Sequence, residues 1–213
     1  MVYHALNRAN GRGTIFENDG DYADFVRLMR ETQQRVPLRI LDYCLMPNHW
    51  HLILWPREAG TLSRFMGLLT NAHVHRWQAY RKVTGIGHLY QGRFKSFPVQ
   101  SDGHFLTVCR YIERNPLKAN LVTKAEQWRW SGLWERRHAK TDAANLLAPW
   151  PVPRPERWVE WVNEPIADNE LAAIQECMER GRPYGSDDWT TVAALSLGLT
   201  ATLRPLGRPR KHR

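Results

Sequence analysis

Residues 38–55 constrain the fold more than any other stretch. They read Leu-Arg-Ile-Leu-Asp-Tyr-Cys-Leu, then Met-Pro-Asn, then His-Trp-His-Leu-Ile-Leu-Trp. Both halves are apolar and β-favouring, and Met46-Pro47-Asn48 breaks them, so the run predicts two strands joined by a tight connection. Side chains alternate faces along a strand. His49 and His51 therefore share one face of the second strand, and Trp50 takes the other. Two imidazoles on one face are half of a metal site. A third ligand and a reactive group have to come from elsewhere in the chain.

The flanking pattern supplies a frame for that hairpin. Residues 2–9 read as a first strand, followed by the turn signal Asn10-Gly11-Arg12-Gly13. Residues 21–35 repeat Phe25, Leu28, Met29 and Thr32 at helical spacing, with Asp19 or Asp21 as the expected cap. Residues 61–82 form the longest helical pattern, and its other side carries Arg64, Arg76, Arg81 and Lys82, read as a solvated face. Tyr90 to Phe97 reads as a short strand, and a helix is expected from Gly103 to about Asn115, limited by Pro116. This order of strand, helix, strand, strand, helix, strand, helix predicts an α+β fold: a ferredoxin-like antiparallel sheet with helices packed on it. Residues 1–130 are expected to form this unit. Residues 131–213 are expected to form a helical and irregular C-terminal extension, with a proline-rich segment over 149–155, helices near 169–180 and 189–199, and a basic tail.

The last helix of the first unit carries the complementary chemistry. Phe105, Val108, Cys109 and Ile112 make its buried stripe. At about 100° per residue, Tyr111 lies about 110° and Asn115 about 70° from the stripe's centre. Four apart, they are neighbours at the edge of the face turned to the sheet. Tyrosine is a weak nucleophile at its ordinary pKa of about 10. A divalent cation held by two imidazoles and an amide oxygen polarises a phosphate enough for a tyrosine to attack it. Mg²⁺ or Mn²⁺ suits such a donor set, Mn²⁺ being more at home with nitrogen. Alone, a His-x-His pair is more often structural than ligating, and a helical tyrosine is normally a packing residue. The two readings strengthen each other only if the strand and the helix meet.

Charge points to the same class of substrate. Lys and Arg total 30 against 21 Asp and Glu, a formal net charge of +9, which favours a polyanionic partner. Arg93 and Lys95 interleave with Tyr90, Phe94 and Phe97, as a groove for single-stranded nucleic acid requires. Gly207-Arg208-Pro209-Arg210-Lys211 is either an AT-hook-like minor-groove element, with Arg208, Arg210 and Lys211 as its contacts, or a solubilising tail. The three cysteines, Cys44, Cys109 and Cys177, lack zinc spacing and read as reduced, buried thiols. No apolar run reaches the ~18 residues of a membrane span. A cytoplasmic, nucleoid-associated protein is expected.

Here the chain resembles a known family. His49-Trp50-His51 is similar to the HUH motif of single-tyrosine endonucleases. The run from Met46 to Leu52, the segment Tyr90-Gln91-Gly92-Arg93-Phe94, and Tyr111-Ile112-Glu113-Arg114-Asn115-Pro116 resemble the IS200-like Y1 transposases, and within them the REP-associated tyrosine transposases. The resemblance spans about residues 2–130. It implies a metal-dependent endonuclease and strand-transferase that cleaves single-stranded DNA through a 5′-phosphotyrosine, on hairpins of repetitive extragenic palindromes. It implies Tyr111 as nucleophile and His49, His51 and Asn115 as metal ligands, Asn115 standing where relatives often carry glutamine. No small-molecule cofactor is expected, and monomer and homodimer both remain open. The competing reading is a regulator that binds structured nucleic acid without cutting it.

Overall fold

The computed structural model describes residues 1–204 apart from 84, 86 and 139–144, and Arg12 by its backbone alone. The basic tail, with Arg208, Arg210 and Lys211, lies outside the described residues. Four strands, β1 (Val2–Arg8), β2 (Arg39–Met46), β3 (His49–Trp55) and β4 (Lys95–Val99), form one sheet in the order β2-β3-β1-β4. Every neighbouring pair is antiparallel. With α1 (Asp19–Arg35) between β1 and β2, and α2 (Thr61–Arg81) between β3 and β4, this is the expected ferredoxin-like topology.

Alternation along the strands feeds two cores. Ala5, Tyr43, Leu45, Trp50, Leu52 and Leu54 face α1 and α2, where they meet Phe25, Leu28, Phe65 and Leu69. Val2, Leu41, Cys44, Met46, Ile53 and Phe97 face the opposite way. That second face is covered by α3 (Gly103–Lys118), α5 (Trp158–Asn163) and α6 (Asp168–Arg180), through Phe105, Val108, Ile112, Trp158, Val162 and Ile174. Two further helices, α4 (Gly132–His138) and α7 (Asp187–Ser196), belong to the C-terminal extension.

Several local expectations shift. Asn18, rather than Asp19 or Asp21, caps α1 by accepting from the N–H groups of Gly20 and Asp21. β4 begins at Lys95, and Tyr90 makes only an isolated bridge to Ala9. α3 runs through Pro116 to Lys118. Proline removes one donor near the helix end, and the turn is closed by the N–H groups of Ala119 and Leu121 on the carbonyls of Asn115 and Pro116, at 2.9 and 3.0 Å. Asn120 at φ 55° then ends the helix in the left-handed conformation. Arg76 and Arg81 are not a free solvated face: they pair with Asp24, Glu31 and Asp21 of α1. Cys44, Cys109 and Cys177 are buried free thiols, as expected.

Glu113, a charged residue on the tyrosine helix, is fully buried beside Asp42. Its Oε2 accepts from Trp158 Nε1 at 2.6 Å, tying α3 to α5. Burial and the neighbouring Asp42 raise the Glu113 pKa well above the usual carboxylate range, and burial raises that of Asp42. Glu113 therefore keeps its proton in this buried pair. A folded chain that keeps a proton the unfolded chain releases loses stability as pH rises. Glu113→Gln keeps an acceptor for Trp158 Nε1 and removes the titration. Urea denaturation at pH 5 and pH 9 should show the variant losing less stability than the wild type over that interval, and an equal loss in both would contradict a protonated Glu113.

Candidate active site

Strand alternation and one helix edge build the site. His49 and His51 project from β3 on the α3 side of the sheet, opposite Trp50, which lies in the α1–α2 core. Their rings sit edge to face with centroids 5.0 Å apart. The Tyr111 ring stands 5.9 Å from that of His51, also edge to face. The strand pair and the tyrosine helix thus meet as the sequence requires. Tyr111, Asn115, His49 and His51 line one cleft of about 860 Å³.

The imidazoles are prepared as neutral donors. Burial, reinforced by the Arg8 charge, lowers the His49 pKa to about 4. Burial pushes His51 well below its ordinary value, with His49, His4 and Arg8 adding to the effect. His49 Nδ1 lies 2.6 Å from Asn48 Oδ1, so the proton belongs on Nδ1 and Nε2 carries the lone pair. His51 Nδ1 lies 2.8 Å from His4 Nε2. Each ring thus has its Nδ1 engaged by a neighbouring side chain, the arrangement that orients imidazole ligands. Asn115 adds an amide whose Nδ2 is buried without a hydrogen-bond partner. Among the described residues no cluster of three or more His, Cys, Asp or Glu side chains is available to a metal. Two imidazoles and one amide nevertheless fit a divalent cation that retains water or phosphate oxygens in its other positions.

Tyr111 is 8% exposed, and burial raises its pKa. The Arg8 charge and the approach of the Asn115 side chain pull the other way, although Asn115 Nδ2 makes no hydrogen bond of ordinary geometry. The hydroxyl is protonated at neutral pH and needs a cation near it to attack efficiently.

The remaining expected contacts divide. Arg93 and Lys95 are exposed and line the cleft. Phe94 is half-buried and packs against the α1–α2 core. Tyr90 is buried: its hydroxyl accepts from Trp50 Nε1 at 2.9 Å and lies 2.5 Å from His73 Nδ1. It supports the sheet beneath the cleft and does not present its ring to a ligand. The cleft also contains residues the sequence reading did not single out: Arg8 on β1, Lys118 on α3, and Gln175, Met178 and Glu179 on α6. Lys118 was accessible to pattern reasoning, seven residues after Tyr111 and so on the same helix face. The α6 residues had no local signal, because only tertiary packing brings that helix over the site.

A profile of the IS200-like transposase family matches residues 1–115, a stretch that contains His49, His51, Tyr111 and Asn115. No curated protein matches. Among solved structures, one of a REP-associated tyrosine transposase bound to a REP hairpin is 18% identical, covering 70% of this chain and 87% of that one, with a TM-score of 0.49. A candidate transposase from Deinococcus radiodurans R1 is 19% identical, covering 53% and 88%, with a TM-score of 0.42.

The lowered histidine pKa values have a direct consequence. An unfolded histidine binds its proton near pH 6.5, whereas His49 in the folded chain does so near pH 4. Folding stability must therefore fall as pH drops through that window. A ring-proton NMR titration of the metal-free protein should place the His49 midpoint near 4; a midpoint near 6.5 would contradict the burial described.

Proposed function

The chain belongs to the IS200-like transposase family, and on that premise we propose that it is a divalent-metal-dependent endonuclease and strand-transferase for single-stranded DNA. The observation that carries this reading is the meeting of the His49–His51 pair with Tyr111 in one cation-lined cleft. Tyr111 Oη attacks the scissile phosphorus. The phosphorus–O3′ bond breaks, the tyrosyl proton leaves, and the departing O3′ takes up a proton. The 5′-phosphate remains esterified to Tyr111, so its bond energy is conserved for a second 3′-hydroxyl to reverse the step. His49, His51 and Asn115 would hold Mg²⁺ or Mn²⁺, which supplies Lewis-acid polarisation of the scissile phosphate. Arg8 lowers the charge cost of the tyrosyl oxygen, and Arg93, Lys95 and Lys118 meet the backbone phosphates.

The substrate proposed is a hairpin of the repetitive extragenic palindrome type with a flanking single strand, from the likeness of the His49, Tyr90 and Tyr111 motifs to REP-associated transposases. Arg208, Arg210 and Lys211 add salt-sensitive affinity for the duplex part. Among the described residues no helix is long and apolar enough to cross a membrane, and the proposed location is the cytoplasm, with the nucleoid.

Incubation with a labelled hairpin oligonucleotide and Mn²⁺, followed by a denaturing gel, should give a protein–DNA adduct that EDTA abolishes. Tyr111→Phe should bind the oligonucleotide and form no adduct. An adduct in that variant would remove Tyr111 from the reaction, and DNA binding with no adduct in the wild type would make the protein a non-cleaving binder. The double variant Arg93→Ala, Lys95→Ala should bind more weakly, with the slope of log K against log salt reduced by about 2, roughly one for each lost phosphate contact.

A further inference from the structure

His4 belongs to no motif, and its contact with His51 carries a more specific consequence. It lies on β1, with Phe97 of β4 as its partner in register. It is 0% exposed. Its ring stacks on that of His51 with centroids 5.0 Å apart and planes within 14°, and its Nε2 lies 2.8 Å from His51 Nδ1. Phe97 closes its other side, edge to face at 4.9 Å. Its remaining nitrogen, Nδ1, is buried and has no hydrogen-bond partner. A buried polar atom without a partner is rare enough to require an explanation.

We infer that His4 is a positioning residue that fixes the tautomer and ring orientation of His51, so that His51 Nε2 is bare toward a divalent cation in the cleft. This deepens the proposed function and rests on its metal reading.

Proton placement determines which nitrogen of His51 is bare. A nitrogen–nitrogen contact of 2.8 Å holds one proton between the two rings. Two arrangements satisfy it with both rings neutral. In the first, His4 Nε2–H donates to His51 Nδ1, and the His51 proton sits on Nε2, where it blocks a ligand bond. In the second, His51 Nδ1–H donates to His4 Nε2, and His51 Nε2 is free to bind. The second arrangement sends the His4 proton to Nδ1, the nitrogen that has no partner. A doubly protonated His4 is disfavoured, because it would bury a charge against another imidazole and a phenyl ring. His4 Nδ1 is without a partner in both arrangements, so nothing on the far side of His4 holds the pair in the first, and a cation on His51 Nε2 selects the second. Asn48 serves His49 in the same way, from a side chain that sequence adjacency supplies. His51 has to draw its partner from β1, which is what the pairing of Leu6 with His51 makes available two residues along.

Three forms of the metal-free full-length protein test this: wild type, His4→Phe, which keeps a ring against Phe97 but removes the acceptor, and His4→Gln, which restores an acceptor oxygen. Mn²⁺ binding is read from loss of the free-ion EPR signal, and hairpin-oligonucleotide binding is read separately without metal. His4→Phe should bind Mn²⁺ about tenfold or more weakly, the usual scale for losing an orienting partner of a ligand. His4→Gln should recover most of the affinity, and all three should bind DNA alike. Long-range ¹⁵N spectra of the Mg²⁺-loaded wild type should show protons on Nδ1 of both His51 and His4. Wild-type Mn²⁺ affinity in a folded His4→Phe protein overturns the inference while leaving the metal reading intact. Failure of the wild type itself to bind Mn²⁺ overturns both. Should His4→Phe not fold, the ring spectra decide: a proton on His51 Nε2 in the loaded protein refutes the assignment.

Discussion

Alternation along β3 divides the molecule, and the remaining elements accommodate that division. Trp50, Leu52 and Leu54 are committed to the α1–α2 core, and Trp50 is locked there by its hydrogen bond to Tyr90. A slip of one residue in register would exchange this set for the histidines, placing imidazoles in an apolar layer and Trp50 in the cleft. The pairing of β3 with both β1 and β2 prevents this, and the tight Met46-Pro47-Asn48 connection anchors it at one end. The face of the sheet on which the histidines lie is therefore a consequence of the largest buried side chains.

The second face pays for its chemistry in unmatched polar atoms. His4 Nδ1, Asn115 Nδ2, Glu113 Oε1 and Asp42 Oδ2 are all buried without partners, and all lie on the side of the sheet covered by α3. Each such group carries a desolvation penalty of about 1–3 kcal/mol. The α1–α2 side is the more conventional core, where His73 and Trp50 both reach Tyr90. Both layers bury an apolar core, and the layer with the candidate active site also holds these polar atoms without partners. Trp158 limits the penalty by bonding Glu113, which fastens α5 behind the helix that carries Tyr111.

Much of this is legible in the sequence. The hairpin, the shared face of His49 and His51, and the edge position of Tyr111 and Asn115 all follow from periods of two and 3.6 residues. Period alone does not reveal a long-range partner. Glu113 reads as exposed until Trp158, forty-five residues later, covers it. Tyr90 sits among cations and glycine, as a stacking residue would, yet its hydroxyl is drawn inward by Trp50 and His73. Pro116 signals a helix stop, but so close to the end of α3 its missing donor matters little, and the helix continues to Lys118. The α6 wall of the cleft and the His4–His51 contact depend on the sheet order, which a linear reading gives only as a class of topology.

The central claim is that the tyrosine brought against the His-x-His strand is the residue that takes the DNA. Protease digestion of the adduct formed with a hairpin oligonucleotide and Mn²⁺, followed by tandem mass spectrometry, tests it at the level of one atom. The account predicts a single nucleotide-bearing peptide with the 5′-phosphate on the Tyr111 oxygen. A nucleotide attached to any other side chain, or a cleaved oligonucleotide with no protein attached, would contradict it.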